Sequence, residues 1–239
     1  MQSINFGKLS ESNYASTEAY NTLKTNIQFC GKDMKSICIT SCTPNEGKTS
    51  VSFRLASSFA ESGKKVLFID SDLRKSVLFG RMKIDKKMIG LSQYLSGMNT
   101  MEEVIYHTNI DNMDMIIAGP VPPNPLDLLS SELFVQLIEK QREQYDYLII
   151  DTSPLGIVID SINVAKICDG TILLLQANAI SYKFAKKVVT QLDKADCKII
   201  GTILNKVGEK HRSYYGKRYG KTYGKYYGNY YNEYKLPGI

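Results

Sequence analysis

Ser36-Ile37-Cys38-Ile39-Thr40-Ser41, running directly into Cys42-Thr43-Pro44-Asn45-Glu46-Gly47-Lys48-Thr49-Ser50, is the stretch on which the fold turns. The first six residues are β-branched or small and read as a buried strand. Gly47-Lys48-Thr49 then opens a helical pattern over 49–62. A strand, a loop and a helix with Gly-Lys-Thr at the joint form a setting in which backbone amides at a helix start hold phosphate groups. Lys48 is placed to neutralise terminal phosphates and the Thr49 hydroxyl to ligate magnesium, with Pro44, Asn45, Glu46, Gly47 and Ser50 completing the loop. Cys42 stands where the strict pattern has its first glycine. It reads as an inert small residue rather than an oxidation-sensitive one.

Outward from this stretch the chain alternates. Apolar runs at 65–70, 113–118, 147–151, 171–176 and 198–204 read as further strands. Helical patterns lie at 16–30, 130–144, 160–168 and 181–195, and 71–112 is less regular, with a flap and short helices expected. Near-continuous apolar strands separated by helices predict an α/β fold of P-loop type, a mostly parallel sheet with helices on both faces. Its ligand belongs at the carboxyl ends of the strands. Two more strands open into acids at that rim. One is followed by Asp70-Ser71-Asp72-Leu73-Arg74, the other ends at Asp151 before Thr152-Ser153-Pro154. A single aspartate after a strand is also what a helix cap looks like. Three such rim positions in this order mark a nucleotide site.

The 239 residues are 43% hydrophobic and 23% charged, which excludes wholesale disorder and allows a sizeable core. No apolar run approaches the ~20 residues of a membrane span. The opening residues, MQSINFGKLSESNY, lack the basic-then-apolar pattern of a secretory signal. Five cysteines without a CxxC pair argue against a disulfide framework or a zinc site and for a reduced compartment. His107 and His211 show no partner pattern and read as ordinary surface or loop histidines.

Charge divides the chain at residue 207. Residues 208–239 carry seven Lys/Arg against two acids, while the first 207 are nearly balanced, so the +6 net charge is almost all in the last segment. That segment also holds nine of the sixteen tyrosines: Tyr214, Tyr215, Tyr219, Tyr223, Tyr226, Tyr227, Tyr230, Tyr231 and Tyr234. A Tyr-Gly pair recurs every fourth residue, and glycine at that spacing costs about 1 kcal/mol each in a helix. The division is therefore a body over 1–207 and a flexible, basic, tyrosine-rich tail over 208–239. A basic-aromatic tail for nucleic acid is the other reading of this composition.

CTPNEGKT (42–49), VLFIDSDLR (66–74) and LIIDTSP (148–154) together resemble the Walker A, A′ and B motifs of the bacterial tyrosine kinases (BY-kinases) of capsule and exopolysaccharide systems. AGPVPPNPLDLLSS (118–131) and ILNKV (203–207) resemble that family's proline-rich loop and last strand. These kinases are related to the MinD/ParA ATPases rather than to eukaryotic protein kinases. The resemblance implies ATP and Mg²⁺ as cofactors and the tail tyrosines as autophosphorylation sites. It implies Asp70, Asp72 and Lys48 as catalytic residues, and Thr49, Asp72 and Asp151 around the metal. Asp70 is the first choice to take the proton of the acceptor phenol, Asp72 the more engaged with magnesium. Asn205 falls where related ATPases recognise adenine. Arg74 either stabilises phosphate charge or pairs with Asp72. The split, Gram-positive arrangement is implied: a cytoplasmic kinase held at the inner face of the membrane through a transmembrane modulator, opposed by a phosphotyrosine phosphatase, with no nucleic acid partner.

Three departures stand out. Family members often carry Glu-x-x-Arg-x-x-Arg on the first helix as a ring contact, and this chain has Glu18, Asn21 and Lys24 there. Lysine cannot form a bidentate guanidinium contact, so any homo-oligomeric ring is expected to be weakened. Ser153 replaces the first of two prolines after the third motif. The phosphate loop lacks the extra lysine of the MinD/ParA signature, which favours a kinase over a MinD/ParA-type switch ATPase that positions cargo. A non-catalytic tail-binding protein is the third reading, and the intact Lys48, Thr49 and aspartates oppose it.

Overall fold

The computed structural model describes residues 3–4, 14–78 and 88–207. The tyrosine-rich segment 208–239 and part of the expected flap, 79–87, lie outside the described residues. Eight strands form one sheet among the described residues: β1 (Ser3–Ile4), β2 (Ser36–Ser41), β3 (Val66–Asp70), β4 (Tyr106–Thr108), β5 (Met113–Ile116), β6 (Tyr147–Asp151), β7 (Gly170–Gln176) and β8 (Ile199–Asn205). Their order is β1-β4-β5-β3-β6-β2-β7-β8. β5, β3, β6, β2, β7 and β8 run parallel, and β4 is antiparallel to β5.

The helices are α1 (Tyr14–Phe29), α2 (Lys48–Glu61), α3 (Leu91–Leu95), α4 (Met101–Val104), α5 (Pro125–Leu129), α6 (Glu132–Gln144), α7 (Asp160–Lys166) and α8 (Tyr182–Lys194). They cover both faces, and side-chain alternation along the central strands feeds a core on each. Ile37, Ile39, Phe68 and Ile149 pack with Phe53, Leu55 and Phe59 of α2, while Leu67, Ile69, Leu148 and Ile150 pack with Phe134 of α6, Val164 of α7 and Val188 of α8. Strands buried on both faces need apolar residues at every position, which is why they read as runs rather than alternations.

The helix expected over 130–144 is present as α6, and a short helix that the sequence reading did not set apart, α5, precedes it. Pro125 starts α5 at a position that needs no amide donor, and Ser131 caps α6 by accepting from Phe134 N. β1 and β4, at the far edge of the sheet, have no counterpart in the sequence reading. His107, on β4, does have a partner: its Nδ1 lies 2.6 Å from Asp114 Oδ1. The order β3-β6-β2 is the arrangement that matters for the site, because it brings three adjacent carboxyl ends to one rim.

Candidate functional site

β2 ends at Ser41, and the chain turns through 42–47 into α2. The turn needs two residues of positive φ, Asn45 (66°) and Gly47 (98°). At Gly47 a Cβ would come within 2.3 Å of Asn205 Nδ2, so both the conformation and the space require glycine. Gly47 caps α2 without a side-chain hydrogen bond, which aims the positive end of the helix at the pocket.

Glu46 braces the loop from inside. Its buried carboxylate accepts from Thr43 N, from Thr43 Oγ1 at 3.0 Å and from Gln176 N of β7 at 2.8 Å. The expectation that Glu46 contacts a nucleotide is thus corrected for its side chain, which shapes the loop. The end of β8 holds the loop from outside. Asn205 Nδ2 donates to Glu46 O at 2.8 Å, and Lys206 Nζ donates to Asn45 O and to Gln176 Oε1. Cys42 is fully buried, and burial together with the Glu46 carboxylate pushes its thiol up to about 11, the setting of an unreactive thiol.

A pocket of about 180 Å³ opens above this loop. Of the expected nucleotide residues, Pro44, Asn45, Gly47, Lys48, Thr49 and Arg74 line it, as does Asp72. Glu46, Ser50 and Asn205 stand outside the lining. Asp70 and Asp151 are buried at the adjoining strand ends, directly opposite one another in the β3–β6 register.

The buried charges form one cluster. Lys48 Nζ lies 2.9 Å from Asp151 Oδ1, both side chains being almost wholly enclosed. Ser52 Oγ also donates to Asp151 Oδ1 at 2.9 Å, whereas Asp151 Oδ2 is buried with no hydrogen-bond partner among the described residues. Ser76 Oγ donates to Asp70 Oδ2, and Asp72 N donates to Asp70 Oδ1 at 3.2 Å. Burial, reinforced by the Asp151 carboxylate, pushes the Asp70 carboxyl up to about 7, against the opposing pull of Ser76 and Lys48.

Arg74 does not pair with Asp72. Its Nε and Nη2 contact Asp160 Oδ2 and Oδ1 at 2.5 and 2.9 Å, a bidentate pair with the buried first residue of α7. This pair spans 86 residues and ties the loop after β3 to the segment after β6. Sequence reasoning missed it, since Asp160 there reads as an ordinary acidic residue in a first helical turn.

Among the described residues no group of three or more His, Cys, Asp or Glu is arranged to hold a metal ion. The donor set still suits magnesium, which keeps most of its waters and takes few protein ligands. Thr49 would be the direct protein ligand. Asp151 Oδ2, without a partner among the described residues, is a buried acceptor that a metal-bound water would satisfy, and Asp70, Asp72 and Asp151 lie close enough to raise one another's charge cost, which a cation would offset. On α1, Lys24 Nζ donates to Ser58 O of α2 at 2.9 Å, and Asn21 Nδ2 reaches Glu18 Oε1 at 3.4 Å. Lys24 therefore joins two helices of one chain.

A family profile described as an AAA domain matches residues 34–204. The tyrosine-protein kinase CpsD of Streptococcus agalactiae is 41% identical over 206 residues, covering 84% of this chain and 90% of that protein. Among solved structures, the kinase domain of the Escherichia coli tyrosine kinase ETK superposes with a TM-score of 0.80 at 34% identity, over 87% of this chain and 82% of that one. The septum site-determining protein MinD of Pyrococcus horikoshii, complexed with Mg-ADP, superposes with a TM-score of 0.63 at 28% identity, over 73% and 71%. With its phosphate loop, its rim of aspartates and these relatives, the chain belongs to the bacterial tyrosine-protein kinases, on a nucleotide-binding P-loop fold shared with MinD.

Proposed function

We propose that this kinase transfers the γ-phosphoryl group of ATP, with Mg²⁺, to tyrosines of its own 208–239 segment, between copies, in the control of capsule or exopolysaccharide synthesis. The carrying observation is the arrangement at one rim: Lys48, Thr49 and Asp72 line the pocket, and Asp70 is buried beside it opposite Asp151, the partner of Lys48, with its carboxyl pushed up to about 7. A base whose pKa lies near the working pH is matched to taking the proton of a phenol, which is itself protonated at neutral pH.

Pro44, Asn45, Gly47, Thr49 and Ser50 hold the phosphates, largely through backbone amides at the start of α2. Lys48 supplies the fixed cation for charge that develops on the transferring group. Asp70 orients the acceptor hydroxyl and takes its proton. Thr49, with Asp72 and Asp151 behind it, holds the metal, which when bound neutralises charge on the phosphates. Arg74, fixed by Asp160, borders the same space, and Asn205 stands on the adenine side of the loop. Residues 1–207 act as the kinase body and 208–239 as the acceptor. A transmembrane modulator places the protein at the inner face of the membrane, a phosphotyrosine phosphatase reverses the modification, and self-association through Glu18, Asn21 and Lys24 is weak.

The higher TM-score to the ETK kinase domain than to MinD, and the identity to CpsD, favour this reading over a switch ATPase. Incubation with ATP and Mg²⁺, with and without a peptide from a modulator's cytoplasmic tail, followed by phosphotyrosine mapping, tests it. A Lys48→Met chain mixed with an active chain lacking 208–239 should become labelled on its tail. Absence of tyrosine label in every mixture would refute the assignment of acceptor.

A further inference from the structure

Three cations line the pocket: Lys48, Arg74 and Lys75. Two of them are already engaged. Lys48 is enclosed and paired with Asp151, and Arg74 gives Nε and Nη2 to the two oxygens of Asp160. The positive charge of each is offset by the carboxylate that holds it. Lys75 is exposed and has no ion pair or side-chain hydrogen bond among the described residues. Among those residues it is the one unpaired cation on the pocket wall.

The main chain beneath it is braced. After β3 the chain folds back on its own carboxylates: Asp72 N donates to Asp70 Oδ1 at 3.2 Å, Leu73 N to Ser71 O at 2.9 Å and Lys75 N to Asp72 Oδ1 at 3.1 Å. The Arg74–Asp160 pair anchors the residue before Lys75 to α7. Lys75 therefore stands on a fixed turn, lining the same pocket as Thr43, Gly47 and Thr49 of the phosphate loop, and its flexible four-carbon stem is left free to move.

An exposed lysine is ordinarily a solvated surface charge; the place of this one gives it a task. Phosphoryl transfer spreads charge over the terminal phosphate oxygens and the departing bridging oxygen, and its catalysis is largely positioning and electrostatic stabilisation. A guanidinium locked in a bidentate pair cannot follow that charge without giving up its partner. A compact ammonium held only by water can. The phosphate-stabilising role that sequence position offers Arg74 thus falls to its neighbour.

Resting on the kinase reading above, we propose that Lys75 is a further catalytic residue of the transfer. Its ammonium swings onto the γ-phosphoryl group of bound ATP and donates hydrogen bonds to the oxygens on which charge develops. In that step the phenol oxygen forms a bond to the γ-phosphorus, and the bond from that phosphorus to the β,γ-bridging oxygen breaks, its electron pair leaving with ADP. The phenol proton passes to Asp70. Lys48 and Lys75 then bracket the transferring group, one fixed and enclosed, the other recruited from solvent only when a γ-phosphate is present. ADP lacks that group, so Lys75 contributes to the affinity for ATP and not to that for ADP. Arg74 acts at one remove, by holding through Asp160 the turn from which Lys75 reaches.

The test compares full-length wild type, Lys75→Met and Lys75→Arg in Mg²⁺, by binding of fluorescent ADP and of a fluorescent non-hydrolysable ATP analogue, and by phosphorylation of a synthetic peptide of residues 213–224, SYYGKRYGKTYG. Lys75→Met should lose roughly tenfold in affinity for the ATP analogue while keeping that for ADP, and its kcat for peptide should fall roughly 10- to 100-fold. Lys75→Arg, which keeps the charge, should retain most of both. Because Lys75 is exposed, the denaturation midpoints of all three should agree. Unchanged ATP-analogue affinity and kcat in Lys75→Met mark a solvated surface lysine and overturn the proposal. An equal loss for the ADP and ATP analogues assigns Lys75 to the field of the whole pocket and overturns the γ-phosphoryl contact, as does a Lys75→Arg protein no better than Lys75→Met. A wild type that binds both nucleotides and phosphorylates no tyrosine overturns the kinase reading instead, and the ratio of the two affinities then decides for or against Lys75 by itself.

Discussion

Replacing Asp70 with asparagine should stabilise this protein while inactivating it. The carboxyl rises from 3.8 to about 7 because it is buried and faces Asp151. A native-state pKa above the unfolded value means that the folded chain holds the proton more tightly. Stability therefore falls as pH climbs from about 4 to about 7, and the full penalty persists above 7. At about 1.36 kcal/mol per pKa unit the penalty has a ceiling of about 4 kcal/mol. Coupling to Asp151 and Lys48 shares it among three groups, so the expected gain for Asp70→Asn is about 1–3 kcal/mol at pH 8, and close to zero at pH 4. Asparagine has one side-chain oxygen where Asp70 accepts two bonds: its Oδ1 keeps Asp72 N, and its Nδ2 donates to Ser76 Oγ once that hydroxyl turns, a rearrangement that keeps the gain at the lower end of this range. Urea denaturation of the nucleotide-free protein with a chelator present, at pH 4.5, 6 and 8, measures it. At pH 8 the midpoint temperature should rise by several degrees, at about 2–4 °C per kcal/mol for a chain of this size. Transfer to tyrosine should fall at least 100-fold, and the acid limb of the wild-type rate profile should lie near pH 7. An equal gain at pH 4.5 and pH 8, or a loss of stability at pH 8, would refute the assignment of a strained buried charge.

Lys48→Met should abolish transfer and also destabilise by about 3–5 kcal/mol, because Asp151 is left buried without its cation; adding Asp151→Asn should recover part of that stability and none of the activity, read by denaturation and by phosphotyrosine label. Gly47→Ala should weaken binding of a fluorescent ADP analogue about tenfold or more, and Asn205→Ala should relieve the clash but leave a backbone cost of about 1–2 kcal/mol at φ 98°. Asp160→Asn should release Arg74 and lower kcat for peptide about 10- to 100-fold, with a smaller change in ADP affinity.

The parts of the fold legible in the sequence are those written in local pattern. The strands at 36–41 and 147–151 lie where their apolar runs predict, and α2 starts at Lys48, one residue before the expected position. β4 was hidden because it is three residues long and antiparallel at the edge, with only Tyr106 fully buried, which leaves no run to read. The helix at 130–144 is legible and is α6, whereas α5 is hidden because it lies inside the proline-rich stretch 118–131, where Pro125 reads as loop until it is seen to open a helix. In the site, motif spacing placed Lys48, Thr49, Asp70, Asp72 and Asp151 at one rim. It could not show who pairs with whom. Lys48–Asp151 spans 103 residues, Arg74–Asp160 spans 86 and Glu46–Gln176 spans 130. Glu46 and Arg74 were assigned to nucleotide on position alone. Only the packed chain shows that the carboxylate of the first is an internal brace and that the second is anchored to α7.

The same cluster that strains the protein is what suits it to transfer phosphate to a phenol. Asp70, Asp72 and Asp151 lie close together in a buried rim where only Asp151 pairs with Lys48, so the carboxylates repel and Asp70 is pushed toward its neutral form. A metal ion and a nucleotide that bind this rim bind only the folded chain, so their binding energy adds to its stability as RT ln(1 + [L]/Kd), about 2.7 kcal/mol at 100 Kd. Removing the strain by mutation, as in Asp70→Asn, should therefore give a more stable protein that is still stabilised by ligand but lacks the base proposed for transfer. Water as acceptor would need only the phosphate loop and the cation. On the proposed reading a tyrosine needs in addition a proton acceptor near neutrality, the role given to Asp70, which is buried at the strand end beside the pocket. The turn after β6 is fastened to Ser41 through Leu155 N, and Asp160 beyond it pairs with Arg74, so the phosphate loop and the segments after β3 and β6 are tied to one another. Ties of that kind would fix the relative positions of the reacting groups, and positioning together with electrostatic stabilisation supplies most of the rate enhancement in phosphoryl transfer.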